Sequence, residues 1–236
     1  MSVGGVVFDC DGVLANTTAC WEETFSAVAG QFGLALGHGQ LTRLQGAALV
    51  TAARRMVRWS PRSLAVGDVL EALRRQLVLS IDASELILIE GARELLTELH
   101  AFVPLAVASN SPRAVLLRTL ARLELTHYFA AAISADDVEQ PKPAPDPYLA
   151  ACEALSVDPR LSFAVEDSQV GMRSATAAGL AVIELAESTA ASSGRTWAPG
   201  SVLLVSSLAD RRVRLLILGR AAAGDRLSSE NYSPKL

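Results

Sequence analysis

Short apolar runs without polar alternation recur along the chain, at Val3 to Phe8, Val103 to Ala108, Ala130 to Ser134, Leu161 to Val165, Ala181 to Leu185 and Val202 to Val205. A strand that reads this way is buried on both faces, as in a parallel sheet covered by helices. The segments between the later runs carry helical periodicity or loops. Ser111-Pro112, for example, reads as an N-cap with Pro at the first helical position, followed by Val115, Leu116, Leu120 and Leu123 along one face. Strand and helix alternate, which specifies an α/β fold with a parallel sheet and right-handed crossovers.

The stretch from Ala15 to Leu88 breaks this pattern. It holds three amphipathic helical patterns, roughly Thr18 to Phe32, Gln40 to Trp59 and Val66 to Ile81, separated by Gly37-His38-Gly39 and Ser60-Pro61, and no convincing strand. An all-helical insert after the first strand is expected to sit as a cap over the carboxyl end of the sheet, where open α/β folds bind ligands. The expected division is a core of residues 1–14 and 89–220, a cap of residues 15–88, and a loose tail from 221 to 236, which lacks apolar periodicity.

Composition narrows the partners. With 236 residues, half of them hydrophobic, and a net charge of −4, the chain is expected to fold and to offer neither nucleic acid nor an anionic bilayer a long-range attraction. No apolar stretch is long enough to span a membrane and no secretory signal is visible, so a cytoplasmic enzyme is expected, as a monomer or weak homodimer. Cys10, Cys20 and Cys152 form no Cys-x-x-Cys pair and read as reduced thiols. His38, His100 and His127 show no metal-ligand spacing.

Chemistry concentrates at the exits of the apolar runs. Asp9-Cys10-Asp11-Gly12 sets two carboxylates two residues apart, so that in extended backbone both face one way and Cys10 the other. They suit a nucleophile or metal ligand beside a proton donor, or else a solvated turn. Ser109-Asn110-Ser111 offers a hydroxyl and amides to phosphate oxygens, or an ordinary helix cap. Lys142 sits in a run with four prolines in eight residues, Gln140 to Pro147, and is one of only two lysines against 19 arginines; stiff backbone fixes where that compact charge points. Glu166 and Asp167 end another apolar run with hard oxygen ligands that suit Mg²⁺.

Taken together, Phe8-Asp9-Cys10-Asp11-Gly12-Val13-Leu14, Ala108-Ser109-Asn110-Ser111, Lys142-Pro143-Ala144-Pro145 and Val165-Glu166-Asp167-Ser168 make the chain resemble the haloacid dehalogenase-like hydrolase superfamily, within it the β-phosphoglucomutase-like phosphatases and mutases. The resemblance implies a Rossmann-like core with a helical cap, acting on a small phosphorylated metabolite through an aspartyl-phosphate. It implies Asp9 as nucleophile, Asp11 as general acid/base, Ser109, Asn110 and Lys142 at the phosphoryl group, and Mg²⁺ near Asp9, the Asp11 carbonyl, Glu166 and Asp167.

Two departures bear on which reaction is run. Where the family often carries Asp, Glu and His after the first motif, this chain has Asn16-Thr17-Thr18-Ala19-Cys20-Trp21; where mutases place an arginine after a cap glycine, it has Gly46-Ala47-Ala48-Leu49. Both favour a phosphatase over a phosphosugar mutase. A non-catalytic phosphometabolite-binding protein is the remaining alternative, disfavoured by the complete acid and lysine set. The cap holds no lysine for Schiff-base chemistry, and Asp11 disfavours dehalogenation. Arg54, Arg55 and Arg58 lie about a helical turn apart in the cap, either facing substrate or solvated. Trp21 and Trp59 read as cap core.

Overall fold

The computed structural model describes residues 4–186 and 201–222, with side chains as far as 219. In chain order the elements are β1 (Val6–Phe8), β2 (Ala15–Asn16), α1 (Thr18–Gln31), α2 (His38–Leu44), α3 (Leu49–Trp59), α4 (Val66–Ala83), β3 (Ile87–Leu88), α5 (Ala92–His100), β4 (Leu105–Ala108), α6 (Arg113–Arg122), β5 (Ala131–Ile133), α7 (Asp146–Leu155), β6 (Phe163–Glu166), α8 (Gln169–Ala177), β7 (Ala181–Leu185), β8 (Ser201–Val205) and α9 (Arg211–Ala222).

Six strands form one parallel sheet in the order β5-β4-β1-β6-β7-β8. Each apolar run of the sequence supplies one of them. Alternate residues feed opposite faces. Val6, Phe8, Leu105, Val107, Phe163 and Val165 pack with α5, α6 and α9; Val7, Ala106, Ala164 and Val182 pack with α7 and α8. From β1 the chain builds outward to β4 and β5 on one side, then to β6, β7 and β8 on the other. The exits of β1, β4 and β6 are therefore neighbours at the point where strand order reverses, the position at which open α/β sheets bind ligands.

Helices α1 to α4 bury a separate apolar cluster, including Phe25, Val28, Met56, Leu73 and Leu77, into which α6 of the sheet layer inserts Val115. The all-helical cap of the sequence is present, with two differences. The single pattern expected over Gln40 to Trp59 is two helices, because Gly46 takes φ +69° and Gln45 to Ala48 leave the helix. Glycine enters that left-handed region without the steric cost other residues incur. Further, β2 and β3 pair antiparallel, Ala15 with Leu88 and Asn16 with Ile87, where no strand was expected. Two residues apiece are too few for a period-2 pattern to register.

Pro112 is the residue before α6, with φ −56° and ψ 149°, so the helix starts one residue later than the Ser-Pro signal suggests. The Ser111 hydroxyl is engaged elsewhere. Ala221 and Ala222 close α9; the rest of the tail expected from 221 lies outside the described residues. Among the described residues no helix is long and apolar enough to cross a membrane.

Candidate active site

Asp9 and Asp11 leave β1 beside the ends of β4 and β6. Cys10 turns the other way, packing with Val6 and Phe8, and burial, followed by the charges of Asp11 and Asp9, pushes its thiol up. All three cysteines are buried free thiols.

Lys142 arrives from the loop between β5 and α7 with its side chain only 3% exposed. Its Nζ donates to Asp9 Oδ1 at 2.7 Å and to Glu166 Oε1 at 2.6 Å. The Tyr148 ring lies 4.9 Å from the ammonium, and its hydroxyl donates to the same Glu166 oxygen at 2.7 Å. Burial pulls the Lys142 pKa down, but the carboxylates of Asp9 and then Glu166 outweigh it and raise it overall. Asp9 is raised well above the ordinary carboxylate range by burial; Lys142 pulls it back, while Glu166, Asp167 and Asp11 push further. One cation thus faces several acids in a space of low polarizability, where an uncompensated charge is costly.

Glu166 is fully buried and saturated. Besides Lys142 and Tyr148 on Oε1, its Oε2 accepts from the Ser168 backbone N–H at 3.2 Å and hydroxyl at 3.1 Å. Ser168 in turn caps α8 by accepting from the Gly171 N–H at 3.0 Å. A Cβ on Gly171 would fall 1.7 Å from Glu166 Oε1, so only glycine lets α8 start against this carboxylate.

Asp167 is the opposite case. Its Oδ1 is buried with no hydrogen-bond partner, and burial, with the Glu166 charge second, pushes its carboxyl up to about 8. Oxygens of Asp9, Glu166 and Asp167 lie within 4.8 Å of one another. A cluster of hard donors with an orphaned oxygen fits a divalent cation.

Asp11 accepts four hydrogen bonds. Thr17 Oγ1, at 2.6 Å, and Trp21 Nε1, at 3.0 Å, reach Oδ1; the Ser109 and Ser111 hydroxyls reach Oδ2 at 3.1 and 2.7 Å. Asn110 spends its side chain on backbone. Nδ2 donates to Gly46 O at 2.8 Å and Lys142 O at 3.2 Å, and Oδ1 accepts from Lys142 N at 2.9 Å. Both amide hydrogens are thus spent on backbone carbonyls.

All the core residues singled out in the sequence therefore converge, while the cap arginines do not join them. Arg54 and Arg58 are exposed, and Arg55 donates to the Arg43 carbonyl and not to the acids of the site. Thr17, Trp21, Ser111 and Tyr148 are the partners the sequence reading missed. The first two sit four apart just after the carboxylate pair, Thr17 immediately before α1 and Trp21 in its first turns; Tyr148 follows Lys142 by six residues in the first turn of α7.

A haloacid dehalogenase-like hydrolase family model matches residues 6–185, which span the sheet from β1 to β7 and all four motifs. The chain belongs to that family. Among relatives of this hydrolase, fructose-1-phosphate phosphatase YqaB of Escherichia coli is 29% identical over 77% of this chain and 95% of its own, and a phosphorylated carbohydrates phosphatase of Thermotoga maritima is 31% identical over 74% and 81%. The crystal structure of CbbY from Rhodobacter sphaeroides in complex with phosphate superposes with TM-score 0.77 and 25% identity, covering 88% of this chain and 96% of that one. The hydrolase fold, its helical cap and membership of the phosphatase group thus stand on sequence and structure together.

Proposed function

We propose that this hydrolase cleaves the phosphomonoester of a small phosphorylated sugar or polyol, with Asp9 as nucleophile and Asp11 as general acid and base. The observation that carries this reading is the Lys142 ammonium shared between Asp9 and Glu166, beside the unpartnered Asp167 oxygen at the meeting point of β1 and β6. A carboxylate approaching a phosphate dianion meets repulsion, and fixed positive charge offsets it.

In the first half-reaction an Asp9 oxygen bonds to phosphorus, the ester P–O bond breaks, and the leaving oxygen takes a proton from Asp11. In the second, Asp11 removes a proton from water, the water oxygen bonds to phosphorus, and the Asp9–phosphorus bond breaks to release inorganic phosphate. Ser109 and the Asn110 backbone N–H orient the phosphoryl oxygens. For Asp11 to carry its proton, a serine or threonine partner turns from donor to acceptor; the Trp21 indole, a donor only, does not.

Mg²⁺ is the metal we propose for this centre. Asp9 and Asp167 would hold it, and Asp11 through its carbonyl, while Glu166, with both oxygens engaged, would act through Lys142 and Ser168. When bound, it supplies charge neutralisation of the nucleophile and the phosphoryl oxygens.

Hydrolysis is favoured over isomerisation by Leu49. That position, three after the cap glycine, is 3% exposed and packed in the cap cluster, so it offers no charge to a second phosphate. We take the cap as residues 15–88, entered and left through β2 and β3, and the core as residues 1–14 and 89–220. The buried free thiols suit a reducing compartment, and the cytoplasm is the location we propose. Asp9→Asn tests the whole reading: fructose 1-phosphate and p-nitrophenyl phosphate should both cease to release phosphate while the fold persists. Wild-type rates in that variant would overturn it.

A further inference from the structure

The Gly46 carbonyl belongs to the cap, and the Lys142 backbone to the loop that carries the ammonium to Asp9. One side chain, Asn110, bonds both. Its contacts with Lys142 form a pair, Nδ2 to Lys142 O and Lys142 N to Oδ1, fixing that backbone in both directions. The same Nδ2 reaches the Gly46 O. Asn110 is 7% exposed, so water competes little for these bonds and leaving one unmade is costly. The Gly46 turn also rests against Ser168, whose Oγ would lie 3.7 Å from a Cβ at this glycine. The helical pattern of the sequence thus breaks at Gly46, where the cap touches the core.

A second cap–core contact lies along the same seam, in a crevice of about 110 Å³ lined by Leu49, Arg74, Asn110, Pro112, Asp136 and Pro141. There Arg74 of α4 forks onto Asp136 at 2.7 and 3.2 Å. Asp136 is anchored by the Arg113 backbone N–H. This pair holds the cap without touching Lys142.

We infer that Asn110 is a positioning residue that couples docking of the cap to placement of the Lys142 ammonium, so that the charge facing the nucleophile is set only when Gly46 is seated. This rests on the phosphatase reading for its kinetic consequence, not for its structural one. The amide acts through the backbone of two loops and leaves the reacting atoms to others.

Hydrogen–deuterium exchange and kinetics on the full chain separate the two contacts. Asn110→Ala should speed exchange in residues 41–52 and 139–145 together, and lower kcat on fructose 1-phosphate on the order of 10- to 100-fold, as misplacement of a catalytic group does. Arg74→Ala should speed exchange in 41–52 alone, raise KM, and leave kcat within about twofold, the pattern of lost uniform binding. Should Asn110→Ala fail to fold, Asn110→Asp keeps the acceptor for the Lys142 N–H but faces the Gly46 carbonyl with an oxygen, and should still free 41–52. Unchanged exchange in 41–52 in the folded Asn110 variant, or the same kinetic signature from Arg74→Ala, overturns the coupling. If the wild type turns over no phosphate ester, the phosphatase reading falls while the exchange arms still decide the coupling.

Discussion

Trp21, in the first turns of cap helix α1, donates its indole N–H to Oδ1 of Asp11 across 3.0 Å. The ring also packs on Phe25 with centroids 5.6 Å apart, so cap packing aims a donor at a core carboxylate. Trp21→Phe keeps an aromatic ring there and deletes the donor. A hydrogen bond to a charged group is worth about 1.5–3 kcal/mol, and each 1.4 kcal/mol lost from the transition state is about tenfold in rate. The variant should lose about tenfold or more in kcat/KM, and its thermal midpoint should fall by about 2–4 °C for each kcal/mol lost from folding. Equal kcat/KM would reduce Trp21 to packing.

Lys142→Ala leaves Asp9 and Glu166 buried without their shared cation. Breaking such a pair costs about 3–5 kcal/mol of stability, and withdrawing a preorganised charge lowers the rate roughly 10²- to 10³-fold. Lys142→Arg retains charge but replaces a compact ammonium with a planar fork in a site closed by the Tyr148 ring, so it too should be slow. Measuring kcat and the unfolding midpoint for all three proteins checks both effects, and wild-type values in either variant would remove Lys142 from the site.

Metal and pH are linked through Asp167. Its carboxyl is raised to about 8 from an ordinary 3.8, so between those values the folded state holds a proton the unfolded chain has lost. Stability of the metal-free protein then falls as pH rises through that window, and Asp9, raised by its burial, acts in the same direction. Ionised carboxylates bind metal, so added Mg²⁺ should raise the midpoint more at pH 8 than at pH 5. Thermal melts in EDTA and in Mg²⁺ across this range read the difference directly; a Mg²⁺ effect equal at both pH values contradicts the assignment.

Gly171→Ala should be disproportionately damaging for one methyl group. The new Cβ would overlap Glu166, which cannot retreat because Lys142, Tyr148 and Ser168 hold both its oxygens. Overpacking of this kind costs typically 1–3 kcal/mol, and here it also displaces the partner of Lys142. A variant with unaltered midpoint and kcat would show that Glu166 has room to move.

The strands and the acids were legible because burial on both faces writes an uninterrupted apolar run, and the residues ending β1, β4 and β6 are the polar ones that follow. Gly46 was not legible as a break, since apolar periodicity continues through it and the turn is fixed by Asn110, distant in sequence. Nor was Tyr148: in isolation it is one more apolar position on α7, and only folding brings its hydroxyl to Glu166. Helix α9 lay hidden in Arg211-Arg212-Val213-Arg214-Leu215-Leu216-Ile217-Leu218, where a short apolar run reads equally as strand or helix.

The pairing of β2 with β3 sets Ala15 beside Leu88 and Asn16 beside Ile87, so the polypeptide departs from the sheet and comes back at a single spot. The register of β1 with β4 is thereby insulated from whatever is threaded between those two strands. Lengthening or exchanging the intervening helices changes what lies beside the carboxylates without asking the sheet to be rebuilt, which makes this junction the natural point for grafting a different cap onto the same acid cluster.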